Sequence, residues 1–192
     1  MITYILHGGK TSIQNEKNDG FFAQFTELVK KDVVTILLCY FSREKEKWES
    51  MSSRDMATIK RVSKKKVEFL IAENTEDLIS KLEVSDVLFV AGGEANLIEP
   101  QYAAMSKIHT MLDGKIYAGS SMGAFFASES YVLSLERQDD GKVHRGAGFL
   151  PLQMLCHFNI DEKKDKKIQM LAAYSKSPII ALNECEYTIF YS

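Results

Sequence analysis

The sequence predicts a doubly wound α/β domain, a mostly parallel sheet with helices on both faces, on three observations. Short β-branched or aliphatic runs recur at residues 2–6, 33–39, 67–72, 86–90 and 115–118. Longer amphipathic or polar stretches separate them, which is the rhythm of βαβ units. The runs are nearly continuous in apolar character, as expected of parallel strands covered on both faces.

The connecting stretches read as helices at residues 21–30, about 44–63, 75–82, 94–112, and one beginning at Met122. Asn74 stands where an N-cap accepts a first-turn amide, and Gly114 stands where a helix stops. Beyond residue 122 the pattern loosens, and Gln138-Asp139-Asp140-Gly141 reads as a turn or hairpin tip. A last unit follows, with a polar helix at 161–174, a strand at 178–182 and a further strand at 187–191. No internal repeat or linker divides the chain, so its 192 residues are expected to form one domain, 1–192.

Composition excludes several classes of function. With 24 basic and 26 acidic residues the net charge of −2 is too close to balance to imply a nucleic-acid or membrane-surface partner. The run Lys64-Lys65-Lys66 sits at a helix-to-strand junction and reads as a solvated face. The amino terminus enters Ile2-Thr3-Tyr4-Ile5-Leu6 without the features of a secretory signal, and no run approaches the ~20 apolar residues of a membrane span. Cys39, Cys156 and Cys185 are odd in number and widely spaced, which argues against a disulfide framework or a CxxC metal site. A cytoplasmic protein is expected, a monomer or homodimer, with no metal and no cofactor.

In open α/β sheets ligands bind outside the carboxyl ends of the strands, and chemistry is sought there. After the run at 115–118 the chain reads Gly119-Ser120-Ser121-Met122-Gly123, matching G-x-S-x-G in a strand-turn-helix context. Such a turn holds the central residue in a strained conformation, while the flanking glycines let strand and helix approach. Ser121 would then stand in the cleft, with the Met122 amide at the helix amino terminus able to donate to an oxyanion. A Gly/Ser-rich turn that cradles an anion has the same pattern.

A serine hydroxyl needs a base to become a nucleophile. Four histidines are available. His7 ends the first strand and could line the same sheet edge, His109 lies in a helix, and His144 lies in the turn region. His157 follows the apolar segment from Phe149 to Cys156 and precedes Phe158-Asn159, the placement of a desolvated base on a loop. A core histidine beside aromatic residues reads the same way.

Together these segments carry a resemblance. The run Tyr117-Ala118-Gly119-Ser120-Ser121-Met122-Gly123-Ala124 resembles the elbow of peptidase family S51, which includes aspartyl dipeptidase (peptidase E) and cyanophycinase. Phe149-Leu150-Pro151-Leu152-Gln153, followed by His157-Phe158, is similar to that family's histidine segment, and the 36 positions between Ser121 and His157 match as well. The resemblance implies a class I glutamine amidotransferase-like, flavodoxin-like fold with a Ser-His-Glu triad of Ser121, His157 and Glu184. Glu186, two residues on and on the same side of an extended chain, competes for the third place. The run Phe89-Val90-Ala91-Gly92-Gly93-Glu94 resembles the family's glycine-rich turn, with Ala91 in place of its first glycine. There Gly93 would supply a second oxyanion amide and Gly92 would touch substrate. Glu136 matches an acidic position of the family and is a candidate for substrate contact.

The expected function is therefore a serine peptidase of the peptidase E type, cleaving a small peptide substrate through an acyl-enzyme. The arginine-rich pattern that follows the histidine in the dipeptidase is missing from Asp161-Glu162-Lys163-Lys164-Asp165-Lys166-Lys167, so Arg145 or Arg137 is the candidate to bind a substrate carboxylate. The family usually continues through further strands past the glutamate, whereas this chain stops at Ser192, which predicts an abbreviated sheet edge. The alternative reading is a non-catalytic binding module that keeps fold and pocket. Gly8-Gly9-Lys10-Thr11-Ser12 lacks the spacing of a nucleotide-binding loop and reads as a cleft-edge loop.

Overall fold

A computed structural model of the protein describes residues 1–135 and 138–192. Its strands are β1 (Thr3–His7), β2 (Val33–Cys39), β3 (Lys66–Ile71), β4 (Val87–Val90), β5 (Ile116–Ser120), β6 (Ser130–Val132), β7 (Val143–Arg145), β8 (Gln153–Leu155), β9 (Ile179–Ala181) and β10 (Tyr187–Tyr191). Its helices are α1 (Glu16–Glu27), α2 (Trp48–Val62), α3 (Thr75–Glu83), α4 (Ala95–Ile98), α5 (Tyr102–Met105), α6 (Met122–Ala127) and α7 (Lys164–Tyr174). None of the described helices is long and apolar enough to cross a membrane.

The main sheet has the order β10-β1-β5-β4-β2-β3, parallel except for β10, which pairs antiparallel with β1 at the edge. Alternate residues of each strand serve two cores, one per face. Ile5, Ile36, Leu38 and Phe89 pack with Phe21, Phe22 and Phe25 of α1 and Ile59 of α2. Tyr4, Leu6, Leu37 and Leu88 pack on the other face with Leu78 and Leu82 of α3, Met105 of α5 and Phe125 and Phe126 of α6. This is the doubly wound α/β arrangement expected from the continuous apolar runs.

Three elements differ from expectation, the first being α1, which runs over Glu16–Glu27 where a helix at 21–30 was expected. Residues 94–112 form α4, α5 and short 3₁₀ turns instead of one helix. Pro100 at the start of the turn Glu99–Gln101 lacks the amide that an uninterrupted helix would need there. The late strands do not all extend the main sheet. β6, β7, β8 and β9 form a second sheet, ordered β7-β6-β8-β9, with Gln138-Asp139-Asp140-Gly141 in the connection between the antiparallel pair β6 and β7. Three-residue strands carry too little periodicity to be read against the loops around them.

Candidate active site

The site is assembled where β1, β4 and β5 end side by side. Ser121 follows β5 as the cap of α6, with φ 49° and ψ −106°, a conformation few non-glycine residues hold. Two packing contacts make the elbow possible. A Cβ on Gly119 would stand 2.5 Å from the Gly123 carbonyl carbon, and one on Gly123 would stand 2.1 Å from the Val90 carbonyl oxygen. The Ser121 amide donates to the His7 carbonyl of β1 at 2.9 Å, and its carbonyl accepts from Phe125 at 2.9 Å, so the bend is pinned on both sides. As the first residue of α6, Met122 presents an amide with no acceptor one turn earlier in the helix.

His157 lies in the loop after β8, itself left-handed at φ 55°. Its amide donates to the Gly8 carbonyl at 3.0 Å, and the Phe158 amide donates to Leu182 at 3.1 Å, which straps the loop to the first strand's end and to the segment after β9. Its Nε2 is 3.1 Å from Ser121 Oγ, and its Nδ1 is 2.8 Å from Glu184 Oε1. Glu184 is held in turn by its own amide, which donates to Asn159 Oδ1 at 2.8 Å. With Nδ1–H donating to the carboxylate, Nε2 is left as the acceptor facing the hydroxyl. The imidazole side chain is only 7% exposed, and this burial holds its pKa below the ordinary 6.5, although the hydrogen bond and charge of Glu184 raise it. Glu186 points elsewhere, its carboxylate pairing with Lys17 at 2.9 Å near the surface.

The glycine turn after β4 packs against the elbow. A Cβ on Gly92 would stand 2.9 Å from Ser121 Cβ. The segment that follows β2 braces this turn. Ser42 Oγ donates to the Ala91 carbonyl at 2.8 Å, Arg43 Nε donates to the Gly92 carbonyl at 2.5 Å, and the Ser42 carbonyl accepts from Glu94 at 2.7 Å. Gly93 packs so closely on Ser42 that its missing side chain would overlap the Ser42 carbonyl oxygen at 2.0 Å. Ala91 occupies the place of the family's first glycine without opening the turn, being 2% exposed in the core beside α1.

These residues line a cleft of about 310 Å³ that also takes in Lys10, Arg43, Arg54 and Asp55. Asp55 is buried and accepts from Tyr40 Oη at 2.9 Å and from Arg54 Nε and Nη2 at 2.9 and 2.7 Å. Burial raises the Asp55 pKa, and the Arg54 guanidinium opposes that shift. Lys10 and Arg43 line the same cleft as this Arg54–Asp55 pair.

Of the residues singled out from the sequence, Ser121, His157 and Glu184 meet in one hydrogen-bonded chain, Gly92 packs on Ser121, Gly93 lines the same cleft, and Met122 opens α6 directly after the serine. Arg145 does not join them. It is exposed on β7, where it pairs with Ser130, and is not among the residues lining the cleft. Glu136 and Arg137 lie outside the described residues. Arg43 and Arg54 went unrecognised in the sequence. Arg43 follows the end of β2, and the rule that strand ends carry function was the one signal pointing to it. Arg54 sits among other charges on α2 and had none. The loop Gly9-Lys10-Thr11-Ser12 lines the cleft as its position after β1 suggested.

Such a hydroxyl, imidazole and carboxylate in series can pass a proton from the serine as it attacks a carbonyl, beside amides able to receive the developing oxyanion. The fold is shared with solved structures. A peptidase from an acI-B1 Actinobacterium superposes with a TM-score of 0.68 at 16% identity, covering 99% of this chain and 84% of that one. A protein provisionally designated peptidase E, from Listeria monocytogenes EGD-e, superposes at 0.62 with 15% identity, covering 100% of this chain and 99% of that one. No curated protein matches the sequence. The family model of peptidase family S51 matches residues 5–190, nearly the whole chain, and takes in the elbow, the histidine segment and the late glutamate. The protein accordingly belongs to peptidase family S51.

Proposed function

We propose that the protein is a serine peptidase that cleaves small peptides through an acyl-enzyme on Ser121. His157 takes the serine proton as general base and returns it to the leaving amine. Glu184 fixes the imidazole tautomer and stabilises the imidazolium, while the amides of Met122 and Gly93 receive the oxyanion. The observation that carries this reading is the chain from Ser121 Oγ to His157 Nε2 at 3.1 Å and from Nδ1 to Glu184 at 2.8 Å, built on a strained elbow.

Two cations of the cleft, Arg54 and Lys10, support a substrate with an acidic residue at its amino end. Arg54 commits Nε and Nη2 to Asp55 and leaves Nη1 without a partner among the described residues, on a side chain 37% exposed. Lys10 lines the same cleft, and its charge reaches His157. A substrate carboxylate is therefore assigned to Arg54 and Lys10 and not to Arg145.

An active-site fluorophosphonate tests the reading, with the label located by mass spectrometry. Labelling is expected on Ser121 in the native protein and is expected to vanish on heat unfolding. Because the base must be neutral and burial lowers its pKa, the rate should rise with pH to a plateau and reach half of it below pH 6.5. In parallel, aspartyl and glutamyl dipeptides should be cleaved in preference to neutral ones. A folded protein that takes no label would instead be a binding module.

Gly9 gives a second test. Its φ is +108°, and a Cβ there would stand 2.3 Å from His157 Cε1 and 2.5 Å from Nε2. Gly9→Ala must displace the imidazole from Ser121, and a displacement on the order of 1 Å costs about 100-fold in rate. Labelling should fall by that factor with circular dichroism unchanged, and an unaffected rate would mean that the imidazole does not act from this position.

A further inference from the structure

His7 closes β1, is fully buried, and has no part in the chain of hydrogen bonds just described. Its surroundings fix its tautomer. Nδ1 accepts the Gly9 amide at 3.0 Å, so Nε2 carries the proton and donates to Asn18 Oδ1 at 2.9 Å. The orientation of the Asn18 amide agrees, because its Nδ2 donates to the Lys10 carbonyl at 2.9 Å and to the Ile13 carbonyl at 2.5 Å. Burial holds the His7 pKa down at about 4, which keeps the ring neutral and Nδ1 an acceptor.

Gly9, the peptide that His7 grips, is the surface against which the His157 ring rests, since the space of its missing side chain is filled by Cε1 and Nε2. Its carbonyl is gripped as well, accepting the Cys185 amide at 2.9 Å, next to Glu184. The imidazole thus rests on a residue whose N–H is tied to His7 and whose C=O is tied to the residue after the carboxylate.

We infer that His7 is a positioning residue for His157, acting through the Gly9 peptide that its Nδ1 anchors. This rests on the proposed serine chemistry for its kinetic consequence, although not for the placement of the ring. The contact from Nδ1 to an amide two residues on is the one an asparagine side chain makes in an Asx turn. Asparagine at position 7 offers an acceptor in place of Nδ1 and loses the reach to Asn18. Glutamine does the reverse, reaching Asn18 in place of Nε2 and offering Gly9 no acceptor. Phenylalanine offers neither and fills the volume against Phe21, whose ring centroid is 4.5 Å away.

The three variants separate positioning from simple packing. His7→Asn should keep fluorophosphonate labelling within about fivefold of the unsubstituted protein, whereas His7→Gln and His7→Phe should lose about 10- to 100-fold, the cost of a misplaced catalytic group. Thermal stability should follow another order, with the small asparagine the least stable because it leaves a cavity. Should glutamine prevent folding, phenylalanine makes the same comparison. ¹⁵N-detected histidine spectra report without turnover: His157 should show one tautomer, protonated at Nδ1, in the unsubstituted protein and His7→Asn, and averaged nitrogens in His7→Gln and His7→Phe. Equal labelling and equal spectra across the series, or losses that track stability, would overturn the inference. If even the unsubstituted protein takes no label, the proposed function fails, and the spectra alone decide the role of His7.

Discussion

Replacing His157 with glutamine is expected to slow acylation of Ser121 by about 10⁴- to 10⁶-fold, the range found when the base of such a unit is removed. Glutamine approximates the size of the imidazole and can still donate or accept a hydrogen bond, but it has no nitrogen that binds a proton near neutral pH. The other buried histidine at the site, His7, cannot stand in for it. His7 lies close by, with Nδ1 3.4 Å from Ser120 Oγ, yet that nitrogen already accepts the Gly9 amide and its pKa of about 4 makes it a poor base. The measurement is the second-order rate constant for fluorophosphonate labelling, read beside circular dichroism. A rate within tenfold of the unsubstituted protein would mean that the serine loses its proton by another path.

Glu184→Gln should cost about 10⁴-fold, through the tautomer. The carboxylate can only accept, so it keeps the proton on Nδ1 and leaves Nε2 open to the serine. An amide can turn its NH₂ toward Nδ1, which moves the proton to Nε2 and closes the acceptor. The negative charge that favours the imidazolium is lost too. Since Glu184 raises the His157 pKa against the effect of burial, its removal should shift the remaining pH profile to lower pH while the plateau drops. Glu186→Gln is the matched control. That carboxylate pairs with Lys17 at 36% side-chain exposure, and its loss should change the rate by less than about twofold. Comparable losses in both variants would mean that the acidic segment acts on the site only through its folding.

Several features of this site could be read along the chain because the physics behind them is local. A strained serine between glycines follows from the needs of a strand-to-helix turn, and Gly119 and Gly123 do stand where a side chain would strike Gly123 or Val90. The histidine after an apolar run became legible only together with the elbow. Alone it could not be told from a core histidine, and His7 illustrates the difficulty, being as buried and as well bonded as any structural residue. In an extended chain the glutamates at 184 and 186 would share one side, and periodicity could not choose between them. Cys185 separates them at φ 65°, breaking the extended geometry on which that comparison depended.

What the sequence by itself determined is the set of strands that fill two cores and the bend that lifts Ser121, each encoded by apolar periodicity or by glycines within a few residues of where they act. The segments that deliver His157 and Glu184 were legible only through their resemblance to peptidase family S51. The tertiary structure alone decided what surrounds that hydroxyl. The sheet order places β1 and β4 on either side of β5, so the Gly8-Gly9 loop and the Gly92-Gly93 turn meet at Ser121 from distant parts of the chain. The crossover from β2 brings Arg43 and Arg54 to the same cleft. Charge and hydrogen bonding act through space, and residues that look like ordinary surface cations in the chain become cleft residues once strand pairing fixes their neighbours.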